Sequence, residues 1–139
     1  MTIKILAIDD DTAMTELLTL LLQSHDFDIA TANSGEEGIE LIPQIRPDII
    51  LLDLMMPNMD GWDTCKKIRS FSNIPIIVLS ALNNPGMVAS ALDAGADDYL
   101  IKPVPSSLLV AHIKTLARRS TGQLRSYPNI VNVTNPVFS

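Results

Sequence analysis

The chain of 139 residues has a single cysteine, Cys65, which excludes an intrachain disulfide and any cysteine-rich metal site. It has no apolar run approaching the roughly 18 residues needed to cross a bilayer. Its N-terminus, MTIKILAIDD, turns acidic where a secretory leader would stay apolar. There is no Gly-rich phosphate loop, so a nucleotide is not held here by that device. Internal repeats are absent. Acids are missing from residues 118–139, which carry only Arg118, Arg119 and Arg125, while residues 1–117 hold all 16 acids against 7 bases. A body this acidic is a poor partner for nucleic acid by itself, because phosphate contacts need Lys and Arg. These absences lead us to expect a soluble cytoplasmic protein with no membrane contact and no direct grip on DNA.

What is present is aliphatic. With 47% hydrophobic and 19% charged residues, the chain has enough apolar mass for one well-filled core, and too much for a disordered chain. Apolar runs of strand length alternate with stretches of helical period. Strands are expected at residues 3–8, 27–32, 48–52, 75–79 and 99–101. The first helix follows Thr12, with Met14, Leu17, Leu18, Leu21 and Leu22 at helical spacing. Ser34 caps a second helix over 35–45, with Glu36 and Glu37 at its positive end and Pro47 as its stop. Further helices are expected over 61–70, 87–94 and 106–119, with Asn83-Asn84-Pro85-Gly86 as a turn. Continuously apolar strands between helices imply an α/β fold, a parallel sheet covered on both faces. One domain is expected over residues 1–119, with 120–139 as a linker or tail in which IVNV is the one strand-like run.

Ligands of such sheets bind beyond the carboxyl ends of the strands. Asp9-Asp10-Asp11 follow the first strand, Asp53 the third, Ser80 the fourth and Lys102-Pro103 the fifth, whereas nothing comparable follows the second. Carboxylates crowded to about 4 Å repel by roughly 1–4 kcal/mol per pair, and a hard divalent cation with oxygen ligands, Mg²⁺ above all, relieves that repulsion. A carboxylate nucleophile, a Mg²⁺ site, a lysine and a hydroxyl are the minimum for phosphoryl transfer to aspartate.

The segments IKILAIDDD, PDIILLDLMMPNMDGW, IPIIVLSA and GADDYLIKP stand in the order and at the spacings of the receiver domains of two-component response regulators. The resemblance runs over about residues 3–119. It implies a flavodoxin-like, doubly wound five-stranded sheet of order 2-1-3-4-5 and transfer of a phosphoryl group from a histidine kinase to Asp53. It further implies Mg²⁺ held by Asp9, Asp10, Asp53 and the main-chain carbonyl of Met55. Ser80 and Lys102 would hold phosphoryl oxygens, Tyr99 would be the switch aromatic, and Pro103 would follow a cis peptide bond. Ser80 stands where threonine is commoner, so switching is expected to be looser.

Many DNA-binding members dimerise through the face made by helix four, strand five and helix five. HIKTLARR echoes the end of their fifth helix, and Asp93, Asp97, Asp98 and Arg119 are the residues that could pair there. Val88 and Leu108 are apolar where a charged pair is expected, and His112 replaces the usual arginine. LARRSTGQ resembles the run into the linker of winged-helix regulators, but twenty residues cannot hold such an output domain, so DNA would be reached only indirectly.

Plainer readings stand beside these. Asp9 and Asp10 could cap the first helix, although Asp11 or Thr12 can do that. Cys65 is expected buried and structural, His25 and His112 at the surface, and Met55, Met56 and Met59 on an exposed loop. A haloacid-dehalogenase-type phosphatase would use Asp9 as nucleophile and Asp11 as acid–base, but leaves Asp53 without purpose. A receiver-like interaction module that is not phosphorylated is the other alternative.

Overall fold

The computed structural model describes residues 2–120, the side chain of Ser120 apart. Five parallel strands, β1 (Lys4–Ile8), β2 (Asp28–Ala32), β3 (Ile49–Leu52), β4 (Ile76–Ser80) and β5 (Asp98–Ile101), lie in the order β2-β1-β3-β4-β5. Between and after them run α1 (Thr12–Gln23), α2 (Gly35–Ile45), α3 (Gly61–Arg69), α4 (Pro85–Asp93) and α5 (Ser106–Ser120). This is the doubly wound flavodoxin-like arrangement. The tail reading of 121–139 lies outside the described residues.

Side chains of a strand alternate between faces, and the core divides accordingly. Leu6, Ile8, Ile50, Leu52, Ile76 and Val78 pack with Ile42 of α2, Cys65 and Ile68 of α3 and Ala91 of α4. Ile5, Ala7, Ile49, Leu51, Ile77 and Leu79 pack instead with Leu18 and Leu22 of α1 and with Leu109, Val110, Ile113 and Leu116 of α5. Two apolar layers thus flank one sheet. Each fully buried Ile or Leu contributes roughly 1.5–3 kcal/mol; β3 consists wholly of such residues, and β1 and β4 carry several each.

Several features differ from the sequence reading for physical reasons, although α2 spans the residues expected of it. Asn83-Asn84-Pro85-Gly86 is not a separate turn. Asn84 caps α4, its side chain accepting from the Gly86 N–H at 2.8 Å, and Pro85 takes the first helical position, where its missing N–H costs nothing. α2 carries Pro43 inside it and ends at Ile45 because Arg46 turns left-handed (φ 53°), its N–H returning to Ile42. On α1 the buried stripe is Thr15, Leu18 and Leu22, while Leu17 is 58% exposed, so the apolar face is narrower than the leucine count suggested. Met56 is not an exposed loop residue. Its N–H closes a tight turn on the Leu54 carbonyl, and its side chain joins the α2–α3–α4 layer. Met55 is exposed, as expected, and Cys65 is buried.

Candidate functional site

The strand order reverses between β1 and β3: β1 is followed in space by β2 on one side and by β3 on the other. The crevice beyond their carboxyl ends is where an open parallel sheet binds its ligand. Asp9 and Asp10 leave β1 there, and Asp53 leaves β3, its N–H still bonded to the Ile8 carbonyl at 3.0 Å. One carboxylate oxygen from each of Asp9, Asp10 and Asp53 falls within a cluster no wider than 4.8 Å.

The three acids are not equivalent. Asp9 is buried and doubly engaged. Its Oδ1 accepts from the Asp11 N–H at 3.0 Å, and its Oδ2 accepts from Lys102 Nζ at 3.2 Å. Asp10 is exposed, and its side chain makes no hydrogen bond or ion pair among the described residues. Asp11 does the capping, its Oδ1 accepting from Ala13 and Met14. Asp53 lies between these extremes, its side chain 11% exposed and 3.7 Å from Lys102 Nζ. Burial, then the charge of Asp9, then that of Asp10 push its carboxyl from 3.8 up to about 6, against the pull of Lys102 and a Met55 main-chain hydrogen bond. It remains ionised at neutral pH, with a basicity raised above that of an ordinary aspartate.

Lys102 reaches this place because its N–H continues the β4–β5 ladder, donating to the Ser80 carbonyl at 2.9 Å. The Lys102–Pro103 peptide is cis. Ser80 is fully buried at the end of β4, and its Oγ accepts from the Leu82 N–H at 3.1 Å. Tyr99, opposite Val78 on β5, donates its O–H to the Leu82 carbonyl at 2.7 Å. The structure therefore gathers Asp9, Asp10, Asp53 and Lys102 into one group. Ser80 and Tyr99 form a second, joined through Leu82, and neither side chain hydrogen-bonds a carboxylate among the described residues. Of the histidines, His25 is exposed, and His112 is paired through Nδ1 with Asp98.

Three residues of the site escape a reading of strand ends. Leu82 is an apolar residue acting through its backbone. Gly61 opens α3 so close to the acid loop that a Cβ would lie 2.3 Å from the Asp53 carbonyl oxygen and 2.5 Å from Leu54 Cα. Asn33, just beyond β2, donates from Nδ2 to the Asp9 carbonyl at 2.9 Å. Only Asn33 left a usable signal, a polar amide directly after a strand and before the helix cap Ser34.

Residues 5–114 match the response regulator receiver domain. Among curated relatives, the DNA-binding response regulator MtrA of Mycolicibacterium paratuberculosis is 37% identical over 94% of this chain and 58% of its own. The transcriptional regulatory protein AfsQ1 of Streptomyces coelicolor is 44% identical over 84% of this chain and 52% of its own. The chain thus spans little more than half the length of these relatives. Among solved structures, a two-component response regulator from Clostridium difficile superposes with a TM-score of 0.81 at 36% identity, covering 85% of this chain and 98% of that one. The BeF3-activated receiver domain of RstA from Klebsiella pneumoniae gives 0.80 at 32%, covering 83% and 98%. An acid-lined crevice at the reversal of a 2-1-3-4-5 sheet and a match over most of the sequence agree: this chain belongs to the family of response regulator receiver domains, whose general function is to be phosphorylated on aspartate.

Proposed function

We propose that this chain accepts a phosphoryl group on Asp53 from a phosphohistidine of a histidine kinase, in a Mg²⁺-dependent reaction, and changes conformation to control an output. The carrying observation is Asp53 itself. It is an ionised carboxylate of raised basicity, set beside two further acids and 3.7 Å from a lysine at the sheet's reversal point. Asp9, Asp10, Asp53 and the Met55 carbonyl are the residues to hold Mg²⁺. All four offer hard oxygen donors, and the mutual repulsion of the three carboxylates, whose oxygens lie within 4.8 Å of one another, fits such an ion. Bound there, Mg²⁺ would offset negative charge on the acceptor and on the incoming phosphoryl oxygens.

The chain's own residues do the rest. An Asp53 carboxylate oxygen attacks phosphorus, a P–O bond forms as the P–N bond breaks, and the imidazole departs with its electron pair. Lys102 turns its ammonium from Asp9 and Asp53 to a phosphoryl oxygen. Ser80, whose oxygen accepts from Leu82, keeps its own proton to donate to another. Drawing Ser80 inward moves Leu82 and with it the partner of Tyr99, so two packings of this corner are biased by phosphorylation. The protein would turn over no separate substrate, catalysing only its own phosphorylation and the later hydrolysis of the acyl phosphate. Engagement of both Asp9 oxygens supports Asp53 rather than Asp9 as nucleophile.

The other partners follow the same reading. No helix among the described residues is long and apolar enough to cross a membrane, which accords with a cytoplasmic module. Pairing through the α4–β5–α5 face would rest on exposed Leu92, Ile101 and Leu108, because Asp97 and Asp98 are already bound to Arg69 and His112 of their own chain. DNA would be reached through an output domain. The test is intact mass after incubation with acetyl phosphate and Mg²⁺. One phosphoryl adduct is expected, absent in Asp53→Asn and absent with EDTA. An adduct on Asp53→Asn, or turnover of a phosphomonoester, would refute the assignment. Metal binding without any adduct would favour a module that is not phosphorylated.

A further inference from the structure

Resting on that reading, we infer that Asn33 is a positioning residue for the metal-binding acids of β1. The ladder between β1 and β2 runs one rung past the strands, with the Asp9 N–H donating to the Ala32 carbonyl at 3.0 Å. In a parallel ladder the next donor to the Asp9 carbonyl would be the N–H of residue 34. Ser34, however, has already turned to cap α2, its Oγ accepting from the Glu37 N–H at 3.0 Å. Asn33 supplies the missing rung from its side chain, with Nδ2 at 2.9 Å from the Asp9 oxygen and 3.4 Å from Thr15 Oγ1. Its own main chain is fixed in turn, its N–H donating to Glu37 Oε1 at 2.7 Å.

The peptide so held joins Asp9 to Asp10. Its plane sets the direction in which Asp10 leaves the strand, and the Asp10 side chain has no other tether among the described residues. Although Asn33 lies at the surface, its amide therefore orders the less tethered of the two β1 acids. Partners of metal ligands act in this manner by orienting rather than by coordinating.

The experiment uses Mn²⁺ followed by electron paramagnetic resonance, with Mg²⁺ displacing it, on the wild type, Asn33→Ala and Asn33→Asp. Asp is nearly isosteric with Asn but has no donor, and it adds a negative charge. If Asn33 were only a solvated surface residue, Asn33→Asp would bind the cation equally or more tightly. Positioning requires the opposite sign: both variants bind about 3- to 10-fold more weakly. Phosphoryl uptake at saturating Mg²⁺ should stay within about twofold of wild type, because an acid forced into place by excess metal is as well placed as before. Unchanged affinity in either variant, tighter binding by Asn33→Asp, or a collapse of the saturated rate would overturn the inference. A wild type that fails to bind Mn²⁺ would instead overturn the metal-dependent reading itself, and the inference with it.

Discussion

Replacing Asp53 by Asn should make the metal-free protein more stable at neutral pH while abolishing its chemistry. The Asp53 carboxyl is raised from 3.8 to about 6, chiefly by burial and then by Asp9. A raised carboxyl favours the folded state below its unfolded pKa, where both states are protonated, and this advantage is lost as pH rises through 6. Above that point the folded protein carries a charge that the unfolded chain holds more comfortably. Two units correspond to about 3 kcal/mol at most. That figure is already net of the attraction of Lys102 at 3.7 Å, and solvent screening at this partly exposed site reduces it, so a gain of about 1–2 kcal/mol is expected, near 5 °C in Tm. Urea unfolding of both proteins in EDTA at pH 7.5, 5 and 4 reads this directly. The gap should be widest at pH 7.5, shrink between pH 6 and 4, and narrow at pH 7.5 when Mg²⁺ is added, since the cation binds only the folded acids. An Asp53→Asn protein less stable than wild type at pH 7.5, or a gap indifferent to pH, would refute the electrostatic account.

Gly61→Ala should cost about 2–3 kcal/mol in urea unfolding and slow phosphoryl uptake, because the added methyl meets the Asp53 carbonyl and Leu54 backbone at 2.3–2.5 Å. Lys102→Ala should retain cation binding but lose most of the phosphorylation-induced change in structure, read by hydrogen exchange at β4–α4. A normal change in that variant would remove the lysine from the mechanism. Tyr99→Phe loses one hydrogen bond to Leu82 and should cost about 1 kcal/mol, with uptake onto Asp53 unaffected and exchange of the Leu82 amide faster.

The sheet and the acid cluster were readable because both depend on residue type at fixed strand ends. Four aliphatic runs each stop at a chemically distinct residue, and parallel topology alone brings those stops to one edge. What was not readable depends on backbone. Leu82 links Ser80 to Tyr99 through its N–H and C=O, which no side-chain pattern announces. Asn33 matters because Ser34 withdraws a donor by capping α2, a consequence visible only once the ladder is traced. Met56 looked exposed from its neighbours Pro57 and Asn58, and is buried because a tight turn on Leu54 reverses its direction. Pro85 read as a turn because proline breaks helices in general, although it starts them well.

The division of the core into two layers has a consequence for how such a domain can be sensed from outside. α4 is bolted to one layer and α5 to the other, with the sheet between those layers. At the β5 edge the two meet at the surface, with Tyr99 of β5 packed on the α4 side and Leu100 on the α5 side. A partner that grips both helices across this edge would measure the tilt of one layer against the other, as a caliper does. It could then register the state of Asp53 without coming near it.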